Sequence, residues 1–194
     1  KSKIRSFNCL HKIPNNINID IYNVESNGAL HEGLKHINNY VCSEYFGPVD
    51  IIGKELNGIL NIDLREIPFK ENNFDFVITT EVFEHVPEPY KGFEEIHRVL
   101  KKGGSHIFTV PYKGHGKDEV KAIIGEDGEI IHLAPPEYHG DPIRGEGILV
   151  YTIFAEEMQE KLKEMGFNVK VNHTRNPIWG ILGDNNYVFI ATKL

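Results

Sequence analysis

The sequence predicts a doubly wound α/β sheet of seven strands, mostly parallel with an antiparallel last strand, covered by helices in three layers. Three observations carry that expectation. Short strand-forming segments alternate with turns and helix-spaced stretches through the first 110 residues. The clearest unit starts with an apolar strand, Phe74 to Thr79, and passes through the acidic, His-bearing turn Glu81-Val82-Phe83-Glu84-His85-Val86 into an amphipathic helix and a second strand, His106 to Val110. Phe167 to Val171 and Tyr187 to Thr192 then follow one another without a helix, so they pair antiparallel. In such sheets ligands bind at the carboxyl ends of the strands.

Composition bounds the function. The chain has 194 residues, 40% hydrophobic and 25% charged, which suits one domain with a core. Its 28 acids exceed its 21 bases for a net charge of -7, and no Lys/Arg run is longer than a pair. A nucleic-acid partner needs many phosphate-neutralising cations, so none is expected. Cys9 and Cys42 lack the spacing of a zinc ribbon or a disulfide framework, and Cys42 reads as a buried small hydrophobe. No apolar run approaches membrane-spanning length and no signal peptide is visible, so the expectation is a cytoplasmic protein without a membrane partner.

The elements follow in order. Residues 1–16 are polar and Pro-broken and read as a tail or the remnant of another domain, with the main domain spanning 17–194. Ile17 to Val24 alternates as a strand. Glu25-Ser26-Asn27-Gly28 is a turn in which Ser26 or Asn27 caps the helix Ala29 to Ile37, whose Leu30, Leu34 and Ile37 share a face. Tyr40 to Phe46 is the second strand, residues 47–57 a Gly/Pro-rich connection, and Gly58 to Leu64 the third strand. The helix Tyr90 to Leu100 puts Tyr90, Phe93, Ile96, Val99 and Leu100 on one stripe, pairs Glu94 with Arg98, and places Gly103 where a left-handed closing residue is wanted. Residues 111–150 are rich in Gly, Pro and His, with one short helix around Glu119 to Ile124; a segment this long is a lid or recognition insertion. A last helix, Ala155 to Met165, presents Met158, Leu162 and Met165 and stops at Gly166.

Asp63-Leu64-Arg65-Glu66-Ile67-Pro68-Phe69, Asn73-Phe74-Asp75-Phe76-Val77, Glu81-Val82-Phe83-Glu84-His85-Val86 and His97-Arg98-Val99-Leu100-Lys101-Lys102-Gly103-Gly104 together resemble the class I S-adenosylmethionine-dependent methyltransferases. The resemblance runs from about Ile17 to Leu194. It implies a Rossmann-like methyltransferase fold, S-adenosylmethionine as cofactor and S-adenosylhomocysteine as product. Glu25 resembles the family's acid at the cofactor's methionine end, with Ser26, Asn27 and Gly28 forming the loop; one glycine stands where the family has several. Glu44 matches the acid on the ribose hydroxyls, and Tyr45 is placed to stack on adenine. Asp63 matches the residue that accepts from the adenine amino group, with the Leu64 amide donating to a ring nitrogen. Thr80 and Glu81 match the wall of the methionine pocket, and His85 either faces the methyl-transfer point or packs the following turn.

The second constellation is His132-Leu133-Ala134-Pro135-Pro136-Glu137-Tyr138-His139-Gly140-Asp141-Pro142. It reads first as a substrate-pocket wall in which Tyr138 or His139 removes a proton from a small-molecule acceptor, then as a solvated loop. It reads last as a metal site, since the spacing matches no standard zinc pattern; no metal is expected. Two other functions compete: a degenerate, non-catalytic relative acting as a binding or scaffold module, and a nicotinamide-dependent oxidoreductase, which would need the missing Gly-x-Gly-x-x-Gly fingerprint.

Overall fold

The structure, a computed structural model, describes residues 18–47, 52–140, 147–173, 175–177, 182–183 and 185–194. The tail expected over 1–16 lies outside the described residues, as do Cys9, Asp141 and Pro142. The chain forms β1 (Ile21–Asn23), α1 (Gly28–Leu34), β2 (Tyr40–Glu44), β3 (Glu55–Leu56), β4 (Ile59–Asn61) and β5 (Phe74–Thr80). A 3-10 turn (Phe83–His85), α2 (Pro89–Val99) and β6 (Leu100–Thr109) follow. Then come β7 (Glu119–Val120), β8 (Ala122–Ile124), β9 (Ile130–His132), β10 (Tyr138–Gly140), β11 (Gly147–Leu149), β12 (Thr152–Ile153), α3 (Glu156–Glu164), β13 (Phe167–His173) and β14 (Tyr187–Lys193).

The main sheet has the order β13-β14-β6-β5-β1-β2-β4-β3. β4, β2, β1, β5 and β6 run parallel, while β14 is antiparallel to both β6 and β13. The expected sheet is therefore present with one added edge strand: β3 turns back on β4 through Asn57-Gly58, both at positive φ. Ile21, Phe76 and Ile78 face α1, packing with Leu30, Leu34 and Ile37. Val77, Phe108, Phe189 and Ala191 face the opposite side, where α2 and α3 bury Phe93, Ile96, Val99, Met158 and Leu162. That gives the three layers. Among the described residues, the β2-to-β4 and β4-to-β5 connections hold no helix, so the alternation of strands and helices is less regular than expected.

α2 begins with Pro89 at its first turn, where no N–H is lost. Phe93 is fully buried and stacks on Phe83 with centroids 3.9 Å apart; burying such a ring is worth roughly 2–3 kcal/mol. The stack needs Gly92, because a Cβ there would sit 2.9 Å from Phe83 Cε1. Arg98 does not pair with Glu94. It pairs with Glu95 and donates to the carbonyls of Ile67 and Phe69, since two backbone acceptors and a nearer carboxylate outcompete an exposed pair.

The helix ends at Val99 and the strand starts at once, so Gly103 is not its closing residue. Phe74 pairs Leu100 while Phe76 pairs Ser105. The intervening residues of β6 bulge out, and Gly103 supplies the left-handed turn at φ 79°. Lys101 in this bulge bridges Asp20 at 2.5 Å and Asp75 at 2.8 Å.

The short helix expected at Glu119 to Ile124 is instead two strands. Val120, Ile123 and Ile124 favour extended backbone, and the turn Gly125 to Gly128 folds β8 onto β9. Among the described residues, the insertion and the strand after it form three two-stranded sheets: β7 with β12, β8 with β9, and β10 with β11. It is fastened to the 3-10 turn by the Tyr151 amide, which donates to the Glu84 carbonyl at 2.7 Å. No helix among the described residues is long and apolar enough to cross a membrane. A surface hollow of about 460 Å³, lined by Glu94, His97, Lys161, Glu164 and Met165, lies between α2 and α3, on the helical face rather than at the strand tips.

Candidate functional site

The carboxyl ends of β1, β2, β4 and β5 bring Glu25, Glu44, Asp63 and Thr80 along one edge. The turn after β1 is braced from below. Asn23 is fully buried, and its Nδ2 donates to the Glu25 carbonyl at 2.8 Å and to the Tyr40 hydroxyl at 3.0 Å. Ser26 does not cap α1; its amide and hydroxyl both donate to Glu44 Oε1 at 2.8 Å, and Asn27 Nδ2 reaches the same oxygen at 3.5 Å. Asn27 occupies the N-cap position without a side-chain cap bond. Gly28 takes φ 83°, and a Cβ there would meet nothing within 4 Å, so the space over the turn is open. Burial raises the Glu25 carboxyl above its ordinary range, against a hydrogen bond from Thr80 that lowers it.

Asp63 lies two residues beyond the end of β4, in a turn closed by the Glu66 amide. Its carboxylate accepts from the Arg65 amide at 2.9 Å and from the Arg65 guanidinium, Nη2 to Oδ2 being 2.7 Å. Partial burial pushes the Asp63 carboxyl up, but the bonds and charge of Arg65 outweigh it and hold it below the usual range. Leu64 is buried beside it. Tyr151 is raised above its ordinary range by burial, against the charge of Arg65, which lowers it. Glu95 accepts from the Ile67 amide at 2.8 Å and, with Arg98, clamps the segment that presents Asp63.

β5 leads into Glu81 at φ 51°, a left-handed conformation that costs a non-glycine residue roughly 1 kcal/mol. Its amide donates to the Thr109 carbonyl at 3.1 Å. The reversal aims the next turn under the insertion. Glu84 there is fully buried, with neither carboxylate oxygen hydrogen-bonded. Burial, with the charge of Glu81 adding, raises it to about 8. Glu84 Oε1 lies 3.6 Å from His85 Nε2 and 3.7 Å from His139 Nδ1. The two imidazoles meet edge to face at 5.1 Å.

The fold therefore unites His85 with His139 and separates Tyr138 from both. Adjacent residues of a strand point to opposite faces, and Tyr138 is 58% exposed. The residues that the sequence reading missed are Asn23, Arg65 and Glu84. Asn23 carries no distinguishing local signal, whereas Glu84 is next to His85 in a quoted motif and only its burial marks it out.

Residues 30–108 match a family described as "Methyltransferase domain". The chain is 28% identical over 125 residues to the ubiquinone biosynthesis O-methyltransferase of Acinetobacter baylyi, covering 60% of this chain and 47% of that protein. It spans less than half the length of the first curated relatives it matches. Among solved structures, an S-adenosylmethionine-dependent methyltransferase of Mesorhizobium loti superposes with a TM-score of 0.57 at 12% identity, covering 100% of this chain and 98% of that one. The Burkholderia thailandensis 1,6-didemethyltoxoflavin-N1-methyltransferase, solved with S-adenosylhomocysteine, gives 0.53 at 13% identity, covering 99% and 78%.

Proposed function

We propose that the chain, whose residues 30–108 match a methyltransferase domain, is a class I S-adenosylmethionine-dependent methyltransferase that transfers a methyl group from S-adenosylmethionine to a small or medium-sized acceptor. The observation that carries this reading is the alignment of Glu25, Glu44 and Asp63 on consecutive strand tips of a sheet with this order. S-adenosylmethionine supplies an already activated methyl group on sulfur, so the protein's task is to align and desolvate rather than to generate an electrophile.

The donor set fits the nucleoside. All three hydrogen bonds to Glu44 fall on Oε1, which leaves Oε2 to take ribose hydroxyls. Asp63 and the Leu64 amide form an acceptor–donor pair for the adenine edge, with Tyr45 as its aromatic neighbour. Glu25, Ser26, Asn27 and the open space over Gly28 suit the amino-acid end, with Thr80 and Glu81 as the adjoining wall. The corner formed by Glu84, His85 and His139 receives the acceptor and any proton it sheds, and Tyr138 belongs to the acceptor's rim. A cytoplasmic setting is part of the same proposal and accords with the free thiol of Cys42.

Isothermal titration of S-adenosylhomocysteine into the folded chain tests the reading, and micromolar affinity is the expected result. His139→Gln should lower turnover at least tenfold while leaving that affinity unchanged. A second reading, a non-catalytic binding module, is favoured by one observation: Ser26 and Arg65 already occupy the carboxylates of Glu44 and Asp63. Absence of nucleoside binding by a folded chain would establish it.

A further inference from the structure

Among the described residues, Glu84 is the only buried carboxylate. Both its oxygens lack a hydrogen-bond partner, which is unfavourable for a buried carboxyl, charged or neutral, unless something other than the protein satisfies it. Two imidazole nitrogens face it. His85 Nε2 at 3.6 Å and His139 Nδ1 at 3.7 Å stand too far away for hydrogen bonds. They stand at the separation of ligands around a shared ion: metal bonds of about 2.0–2.2 Å put neighbouring ligand atoms roughly 3–3.5 Å apart. One ligand atom from each of Glu84, His85 and His139 lies within 4.8 Å of the others.

The far sides of both rings are also arranged. His85 Nδ1 donates to the Leu149 carbonyl at 2.9 Å, which commits Nε2 to a lone pair aimed at Glu84. His139 Nε2 faces Glu137 Oε1 at 3.4 Å, and Glu137 is itself fixed by Lys121 Nζ at 2.7 Å. An acceptor behind the non-ligating nitrogen orients a metal-binding histidine and sets its tautomer.

The geometry points to a divalent first-row transition-metal site formed by Glu84, His85 and His139. Two imidazoles and one carboxylate suit zinc, iron(II), cobalt or nickel better than magnesium or calcium. Three protein ligands leave positions open for water or an oxygen of a bound molecule. His139, one-third exposed on its hairpin, provides the entry side. The site deepens the methyltransferase reading by giving the acceptor corner a Lewis acid, and so favours acceptors that offer a hydroxyl or carboxylate oxygen. Its catalytic consequence rests on that reading; ion binding does not.

The test uses the full chain, stripped with a chelator and titrated with zinc by calorimetry and with cobalt(II) by visible absorption. The expected result is a single site of micromolar or tighter affinity, with a cobalt spectrum of nitrogen and oxygen ligation. Glu84→Gln and His139→Gln should each weaken zinc at least tenfold, and His115→Ala, which removes an exposed histidine elsewhere, should leave it unchanged. His139→Gln changes a half-buried hairpin residue, so it serves if Glu84→Gln fails to fold. Zinc affinity no tighter than millimolar, or equal affinity in native chain and His139→Gln, overturns the site. S-adenosylhomocysteine titrated into the same preparation separates the two claims. Nucleoside binding without metal binding removes only the ion site, and metal binding without nucleoside binding removes only the functional reading.

Discussion

Ser26 donates both its amide and its hydroxyl to a single oxygen of Glu44, each at 2.8 Å. The loop after β1 is thereby tied to the tip of β2, with Ser26 and Asn27 bonding the same carboxylate oxygen. Ser26→Ala removes one of the two short bonds, worth about 1 kcal/mol. S-adenosylhomocysteine affinity should fall about threefold to tenfold by calorimetry with little change in melting temperature. A rise in affinity would mean that Ser26 competes with the nucleoside.

Asp63 is preorganised by Arg65 rather than by the strand. On the proposed reading Asp63 accepts from the adenine amino group, so Asp63→Ala should weaken S-adenosylhomocysteine about tenfold or more. The pair is partly exposed, so the same change should cost less than about 1 kcal/mol in a urea melt.

Gly92 lets the Phe83 ring lie flat on Phe93. Gly92→Ala places a methyl group 2.9 Å from Phe83 Cε1, and overpacking of this kind costs about 1–3 kcal/mol. A urea melt should show that loss although alanine is the better helix former. Unchanged stability would show that the ring stack can slide.

His106 is fully buried among Phe83, Phe93 and Phe108, with Nε2 against the Thr79 hydroxyl at 2.9 Å. Burial lowers it to about 3. The unfolded chain takes up a proton as pH falls through the ordinary histidine value, whereas the folded chain stays neutral down to about 3. Stability is therefore full above about pH 6.5 and drains away below it, at about 1.4 kcal/mol per pH unit. Unfolding free energies from urea melts at pH 7.5 and 4.5 should differ by about 3 kcal/mol more in the native chain than in His106→Phe.

Local signals in the sequence were enough for β5, α2 and the acids on the strand tips, because each depends on apolar spacing or on a carboxylate at the end of an apolar run. They misplaced what distant partners decide. Gly103 looked like a helix terminator, but its left-handed turn serves the register of β6 against β5. Arg98 reads as the partner of Glu94, but Glu95 and two carbonyls about thirty residues away hold it. Glu119 to Ile124 reads as one short helix, but Glu119 and Val120 pair with Ile153 and Thr152, and Ala122 to Ile124 pair with His132 to Ile130. His85 reads as a solitary histidine and His139 as one member of the 132–142 constellation, since the carboxylate between them is identified by burial and 54 residues separate them in the chain.

The insertion contributes more than a cover to the corner beneath it. The Leu149 carbonyl fixes the ring of His85, the Tyr151 amide grips the Glu84 carbonyl, and His139 itself comes from β10. Grafting another enzyme's insertion onto this sheet would remove all three supports in one cut, so acceptor preference and the chemistry of the corner are inherited as a single cassette. Chimeras that keep 119–151 whole should preserve both traits, and those with a junction inside it should lose both together.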